Sequence, residues 1–195
     1  MKYLACLFAS VASFSACSEN PPIETSEGFD RIVASHGINA DAPTLIIRRQ
    51  SDNSVWIHNP ARAEQRFVPA STTKIPHSLI AMEESVASPE TIFKWDGQAR
   101  AFDAWNQDQT LMSAYQRSAV WVYQDIIGTV GTETVKRWLD LFDYGDFSAI
   151  NDETLTTYWL SGPLQISARE QEAFLQRLVK KDLPLSQQTY AQAWP

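Results

Sequence analysis

The sequence predicts an α+β fold, a helical body joined to the opening hairpin of an antiparallel sheet whose C-terminal strands are missing from this chain. Three observations predict it. Two β-rich runs, TLIIRR and VWIH, flank the polar turn QSDNS. The segments downstream keep helical spacing. No later run is a partner for the hairpin, and two strands alone make a marginal sheet. The 195 residues have room for one substantial core. With 44% hydrophobic residues and 7 Trp the composition is globular, not disordered. A net charge of −7 with no basic stripe argues against a nucleic-acid partner.

Residues 1–17, MKYLACLFASVASFSAC, read as an export signal. Lys2 supplies the positive start, and Tyr3 to Phe14 form an apolar run too short to span a bilayer as a helix. The ending FSAC looks like a lipoprotein cleavage site with Cys17 as the lipid anchor, and ordinary cleavage nearby is the alternative. Residues 18–27 follow as a polar tether, and residues 28–195 form the domain. Both cysteines, Cys6 and Cys17, fall in the signal region. The mature domain is therefore expected to have no disulfide, thiol nucleophile or cysteine metal site. Its histidines, His36, His58 and His77, lack paired spacing, so no metal is expected.

Ser26 caps a helix that Gly37 stops. The hairpin comes next, then VPASTTKIP and a helix through Met82 ended by SPE. IFKWDGQARAFDAWNQDQ is loop-like. From Leu111 to Ile127 the pattern is helical, with Ser118-Ala-Val120 interrupting or joining two helices. TETVKRWLDLF is a helix capped by Thr132 or Thr134, and DYGDFSAINDETLTTYWLSGP is turn-rich. In ISAREQEAFLQRLVKK, Ser167 and Glu170 make a capping box and Ile166 staples the entry. Ser186 caps one more helix.

The chemistry concentrates at Ser71 and Lys74. Their i, i+3 spacing puts both on one face of a helical turn. A serine hydroxyl is a weak nucleophile until a base takes its proton, and lysine can be that base only when neutral. Burial behind the apolar helix lowers a lysine pKa. Pro76 favours an irregular first turn that lets the hydroxyl project into a cleft. S-x-x-K alone is weak, since chance supplies it about once per chain of this size. The ordinary alternative is a helix start whose Ser71 or Thr72 caps while Lys74 snorkels to solvent. His77, at i+6 from Ser71, lies on another side of the helix and reads as packing or surface.

Taken together, PASTTKIP, IFKWDG, NQDQTL, SAVWVYQ, YGD and YWLSGPLQIS-x-x-EQ-x-x-FL resemble the class D (oxacillinase-type) β-lactamases, in family order from about Phe29 onward. The resemblance implies the β-lactamase/transpeptidase-like fold, with residues 28–195 an incomplete penicillin-binding domain. It implies Ser71 as the acylated nucleophile, Lys74 as a base carboxylated by carbon dioxide, and Ser118 as a proton shuttle and substrate contact. Val120 lines the pocket around that lysine, the Trp159 indole N–H bonds the carbamate, and the Ser71 backbone N–H is one oxyanion donor. Apart from carbon dioxide, no cofactor is implied.

Three departures stand out. Thr73 replaces the usual Phe and makes the pocket more polar; Asp146 replaces an Asn; and no K-T-G occurs. The expectation is a periplasmic, exported serine hydrolase, truncated before the K-T-G strand, that opens the β-lactam ring of penicillins and contributes to antibiotic resistance. The alternatives are a penicillin-binding or sensor domain that is acylated without efficient turnover, and an inactive fragment. The oligomeric state and the favoured β-lactams are not legible.

Overall fold

The structure is a computed structural model that describes residues 23–25, 27–39 and 41–193. The export signal, both cysteines and the predicted cap Ser26 lie outside these residues.

Strand β1 (Ile23–Thr25) precedes helix α1 (Glu27–Ser35), and β2 (Leu45–Arg48) and β3 (Val55–His58) are the predicted hairpin. Gly37 stops the first helix at φ +66°, a left-handed conformation that glycine adopts at no steric cost. In the hairpin Leu45 faces His58 and Ile47 faces Trp56, while β1 adds in parallel on the other edge of β3, with Ile23 beside Val55. The stretch read as a tether thus contains a strand. Three residues carry too little periodicity to announce one. Val55, Ile57 and Ala63 are buried here against Ile46 and Ala168.

Helix α2 (Pro60–Ala63) starts on a proline, and β4 (Arg66–Phe67) leads into a 3₁₀ turn over Ala70–Thr73 and helix α3 (Lys74–Glu83). Pro76 is the third residue of α3, where its missing N–H costs no helical hydrogen bond. Strand β5 (Ile92–Phe93) pairs antiparallel with β6 (Gln109–Thr110), closing the expected loop between them. Asp108 fastens that loop by accepting from Lys94 at 2.6 Å and from the Trp95 amide at 3.0 Å.

The segment from Leu111 divides into α4 (Leu111–Arg117) and α5 (Val120–Val130). Ser118 ends α4 in the left-handed region at φ +55°, and the Ala119 amide reaches back to the Ala114 carbonyl at 2.9 Å. This is a glycine-type helix stop built on a serine, the same device that Asp143 and Lys181 supply at the ends of later helices. Helix α6 (Thr132–Phe142) begins directly after Gly131 without a side-chain cap, so neither Thr132 nor Thr134 plays that part. The Thr132 hydroxyl bonds Asp152 instead.

Strand β7 (Ile166–Ser167) pairs with β4 and runs into α7 (Ala168–Lys180), with α8 (Gln187–Ala193) last. The predicted capping box is present: the Glu170 amide donates to Ser167 Oγ at 3.1 Å and the Ser167 amide to Glu170 Oε2 at 2.8 Å. Ser186 caps α8 through the Thr189 amide at 3.1 Å. The short β4–β7 and β5–β6 ladders are further strands that the pattern did not show. Runs of two residues cannot display a period of two.

The core forms around α5, whose Trp121, Val122, Tyr123, Ile126 and Ile127 are buried between α3, α4 and α6. Fully burying each such aliphatic side chain contributes about 1.5–3 kcal/mol. Helix α7 docks on the sheet through the half-buried Arg48–Glu172 pair, with Nε to Oε1 at 2.5 Å. Its Arg177 donates to the Phe142 and Leu141 carbonyls at 2.9 and 3.1 Å, satisfying the end of α6.

Gly145 sits at φ +72° where this frame is tightest. A methyl group there would strike the Gln165 carbonyl and lie 2.8 Å from Ile166 Cβ. Gly145→Ala is expected to destabilise the fold by about 2–4 kcal/mol, combining left-handed strain with overpacking. Urea unfolding of the variant checks this; an unchanged midpoint would show that the turn is not constrained.

Candidate active site

Strand β4 delivers the chain to Pro69, and the 3₁₀ turn sets the site. Ala70 takes a positive φ of 49°, and its amide donates to the Trp159 carbonyl at 2.9 Å. That conformation is uncommon for a residue with a Cβ and is held here by the hydrogen bond. It presents Ser71 outward: Ser71 is exposed while Lys74 is 2% exposed. Because 3₁₀ residues three apart eclipse one another, the two side chains meet more closely than an α-helical turn would bring them. Lys74 Nζ donates to Ser71 Oγ at 3.1 Å. The irregular turn expected from Pro76 is therefore what brings Ser71 and Lys74 together.

Ser118, at the strained end of α4, donates from Oγ to Ser71 Oγ at 2.9 Å. The Ser71 hydroxyl oxygen thus lies between a buried amine and a second hydroxyl. Burial pulls the Lys74 ammonium down from 10.5 to about 8. At pH 7 about one lysine in ten is then neutral, against roughly one in three thousand at the ordinary value. Tyr123 packs beside it, its ring centroid 5.4 Å from Nζ, and the Tyr123 and Ser78 hydroxyls bond at 2.9 Å.

Two clefts open at Ser71. One of about 410 Å³ is lined by Ser71, Lys74, Tyr115, Ser118, Tyr144 and Phe174, among others. The other, about 420 Å³, runs between Ser71, Ser118, Val120, Phe102, Trp105 and Arg117. Val120 therefore borders the cleft at Ser71 and Ser118; Lys74 lies in the wall of the first. Trp159 is fully buried, and its Nε1–H has no hydrogen-bond partner among the described residues. A buried indole donor left open in this way fits a site that receives an acceptor.

Thr73 does not make the pocket polar as expected. It is fully buried and lines neither cleft, and its hydroxyl donates to the Ala70 carbonyl at 2.6 Å. Asp146 is a turn residue: its carboxylate accepts from the Ser148 amide and hydroxyl at 3.1 and 2.8 Å, which hold its pKa below the usual carboxylate range. Its backbone bridges Gln165.

Several site residues carried no sequence signal that spacing could detect. His77, read as packing or surface, is fully buried. Tyr144 lines the cleft from the turn after α6, and Phe174 reaches it from α7, 5.0 Å from the Tyr144 ring. Phe102 and Trp105 pack at a tilt of 59° with centroids 4.9 Å apart within the loop between β5 and β6. The density of Trp and Tyr in that loop and in TYWLSG was the available hint.

Comparison with known proteins gives a consistent picture. The family described as penicillin binding protein transpeptidase domain matches residues 39–192. Among curated proteins, β-lactamase OXA-2 of Salmonella typhimurium is 43% identical over 146 residues, covering 72% of this chain and 52% of that protein. β-Lactamase OXA-20 of Pseudomonas aeruginosa is 35% identical over 186 residues, covering 94% and 68%. The chain spans about half the length of several of these curated relatives. Among solved structures, the class D β-lactamase YbXI from Nostoc aligns with a TM-score of 0.79 at 37% identity, covering 84% of this chain and 67% of that one. FUS-1, a class D β-lactamase from Fusobacterium nucleatum subsp. polymorphum, aligns at 0.80 with 28% identity, covering 87% and 69%. The likeness spans the serine–lysine turn, the α4–α5 junction and the helical body together, and the chain belongs to the penicillin-binding transpeptidase-domain family, among its class D β-lactamases.

Proposed function

We propose that this chain acts as a serine β-lactamase on penicillins, through an acyl-enzyme on Ser71. The observation that carries the reading is the contact of an exposed Ser71 hydroxyl with the buried Lys74 amine at 3.1 Å and with Ser118 at 2.9 Å. In the neutral state Lys74 Nζ accepts the Ser71 proton as Oγ attacks the lactam carbonyl. The Ser71 oxygen bonds to the carbonyl carbon, and the ring C–N bond breaks. Ser118 relays a proton to the departing nitrogen, and the Ser71 backbone N–H faces the developing oxyanion. Water then releases the penicilloate.

A carbamate formed on Lys74 from carbon dioxide would supply that water with a general base that stays unprotonated at neutral pH, where most of the free amine is protonated. The residues fit it: a neutral amine in a buried pocket, and the open Trp159 N–H and the Ser118 hydroxyl to hold an anion. A periplasmic setting for the reaction is part of the proposal, supported by the reading of residues 1–17 as an export signal, with Cys17 as the anchor if the lipoprotein site is used.

Loss of β-lactam absorbance on incubation with benzylpenicillin tests the proposal. The wild-type chain is expected to hydrolyse it in excess of its own concentration, Ser71→Ala to show no hydrolysis, and Ser118→Ala to be slower by about 10²-fold, within the range for a positioned proton-transfer group. Equal rates for wild type and Ser71→Ala would refute it.

A further inference from the structure

Two buried side-chain nitrogens lack hydrogen-bond partners among the described residues, Trp159 Nε1 and His77 Nδ1. They belong to rings that touch. The imidazole meets the indole edge-to-face, with centroids 4.7 Å apart and planes at 83°. His77 lies on α3 three residues after Lys74, on the same side of the helix. The proximity is electrostatic as well: burial pulls the His77 pKa down to about 3, and the Lys74 cation adds to the shift. The imidazole is therefore neutral and carries one N–H.

Tyr158 decides which nitrogen holds it. The Tyr158 hydroxyl is 2.5 Å from His77 Nε2, its one hydrogen-bond partner among the described residues. Burial holds that phenol well above its ordinary pKa, so its proton stays in place. If Nε2 donated to Tyr158, the phenol proton would itself be left without an acceptor. The arrangement that places both protons has the Tyr158 O–H donating to Nε2, which puts the imidazole proton on Nδ1. The cluster then carries two buried N–H donors on adjoining rings, one of them on the helix that carries Lys74, three residues on. Buried donors of this kind belong with an acceptor.

We infer that His77 is a positioning residue for the anionic form of Lys74. Pinned through Nε2 by Tyr158, its ring fixes the plane of the Trp159 indole that abuts it, so the indole N–H is held ready for the carbamate. Tyr158 and Trp159, also edge-to-face at 5.0 Å, close the arrangement from the loop side. The inference rests on the proposed carbamylation of Lys74.

The test is titration of the chain with ¹³C-labelled bicarbonate, reading the carbamyl carbon by NMR and benzylpenicillin turnover in parallel. His77→Phe keeps a ring against Trp159 but loses both nitrogens; Tyr158→Phe removes only the hydroxyl that pins the imidazole. Both are expected to raise the bicarbonate concentration for half-maximal labelling, His77→Phe by about tenfold, the scale for weakening one hydrogen bond from the indole N–H to a charged group. Turnover should recover toward wild type as bicarbonate saturates. If His77→Phe does not fold, by near-ultraviolet circular dichroism, Tyr158→Phe carries the test. Wild-type labelling curves in the folded variants would overturn the inference while leaving the carbamate in place, as would lost turnover that bicarbonate does not restore. Absence of the carbamyl signal in the wild-type chain would remove the modification itself, and the inference with it.

Discussion

Lys74→Met is expected to slow acylation of Ser71 by penicillin about 10³-fold without lowering the melting temperature. The rate effect follows from the proposed role of Lys74, once neutral, as acceptor of the Ser71 proton across their 3.1 Å contact. A positioned general base contributes about 10²–10⁴-fold, and methionine fills a similar volume with no basic atom. The stability effect follows from linkage. The amine has a folded pKa of about 8 against an ordinary 10.5. Burying its cation opposes folding, and the opposition is complete below pH 8 and fades as pH rises toward 10.5. Removing the charge at pH 7 relieves that cost. Rates of adduct formation by intact mass and a thermal melt check both halves. A variant that is slow and also much less stable would show that Lys74 is a structural element of the core.

The second large effect is on pH dependence. Without added bicarbonate, the acylation rate is expected to rise with pH along a limb centred near 8, falling about tenfold for each unit below it. The neutral fraction of Lys74 sets that slope. His77, pulled down to about 3, is already neutral throughout and adds no inflection. Bicarbonate should lift the rate below pH 8, since a carbamate no longer needs the free amine as base. Stopped assays between pH 6 and 9.5 measure the limb. A flat profile would mean that a group other than Lys74 takes the Ser71 proton.

Much of this was legible in the residues, and what was not has physical causes. The hairpin, the capping box of Ser167 and Glu170, and the break at Ser118 were readable because each depends on neighbours within a few residues. Strand Ile23–Thr25 and the two-residue ladders were not, because pairing over such lengths is decided by distant partners. S-x-x-K was visible, but the closeness of Ser71 to Lys74 depends on a 3₁₀ turn that Ala70 and the Trp159 carbonyl hold across the fold. Thr73 shows the limit from the other side. Its hydroxyl suggested a polar pocket, and a backbone carbonyl three residues earlier consumes it. His77 looked idle on a helical wheel, since its partners Tyr158 and Trp159 come from a loop some eighty residues away.

The measurement that most directly tests the central claim is intact mass of the chain during incubation with benzylpenicillin and bicarbonate, with penicilloate read in the same quenched samples. The account predicts a penicilloyl adduct that maps to Ser71 at early times and then decays while product accumulates beyond one equivalent. A stoichiometric adduct that persists without further product would make the chain a penicillin acceptor that fails at deacylation. Neither adduct nor product, from a chain shown to be folded, would contradict the assignment of Ser71 and Lys74 as a working pair.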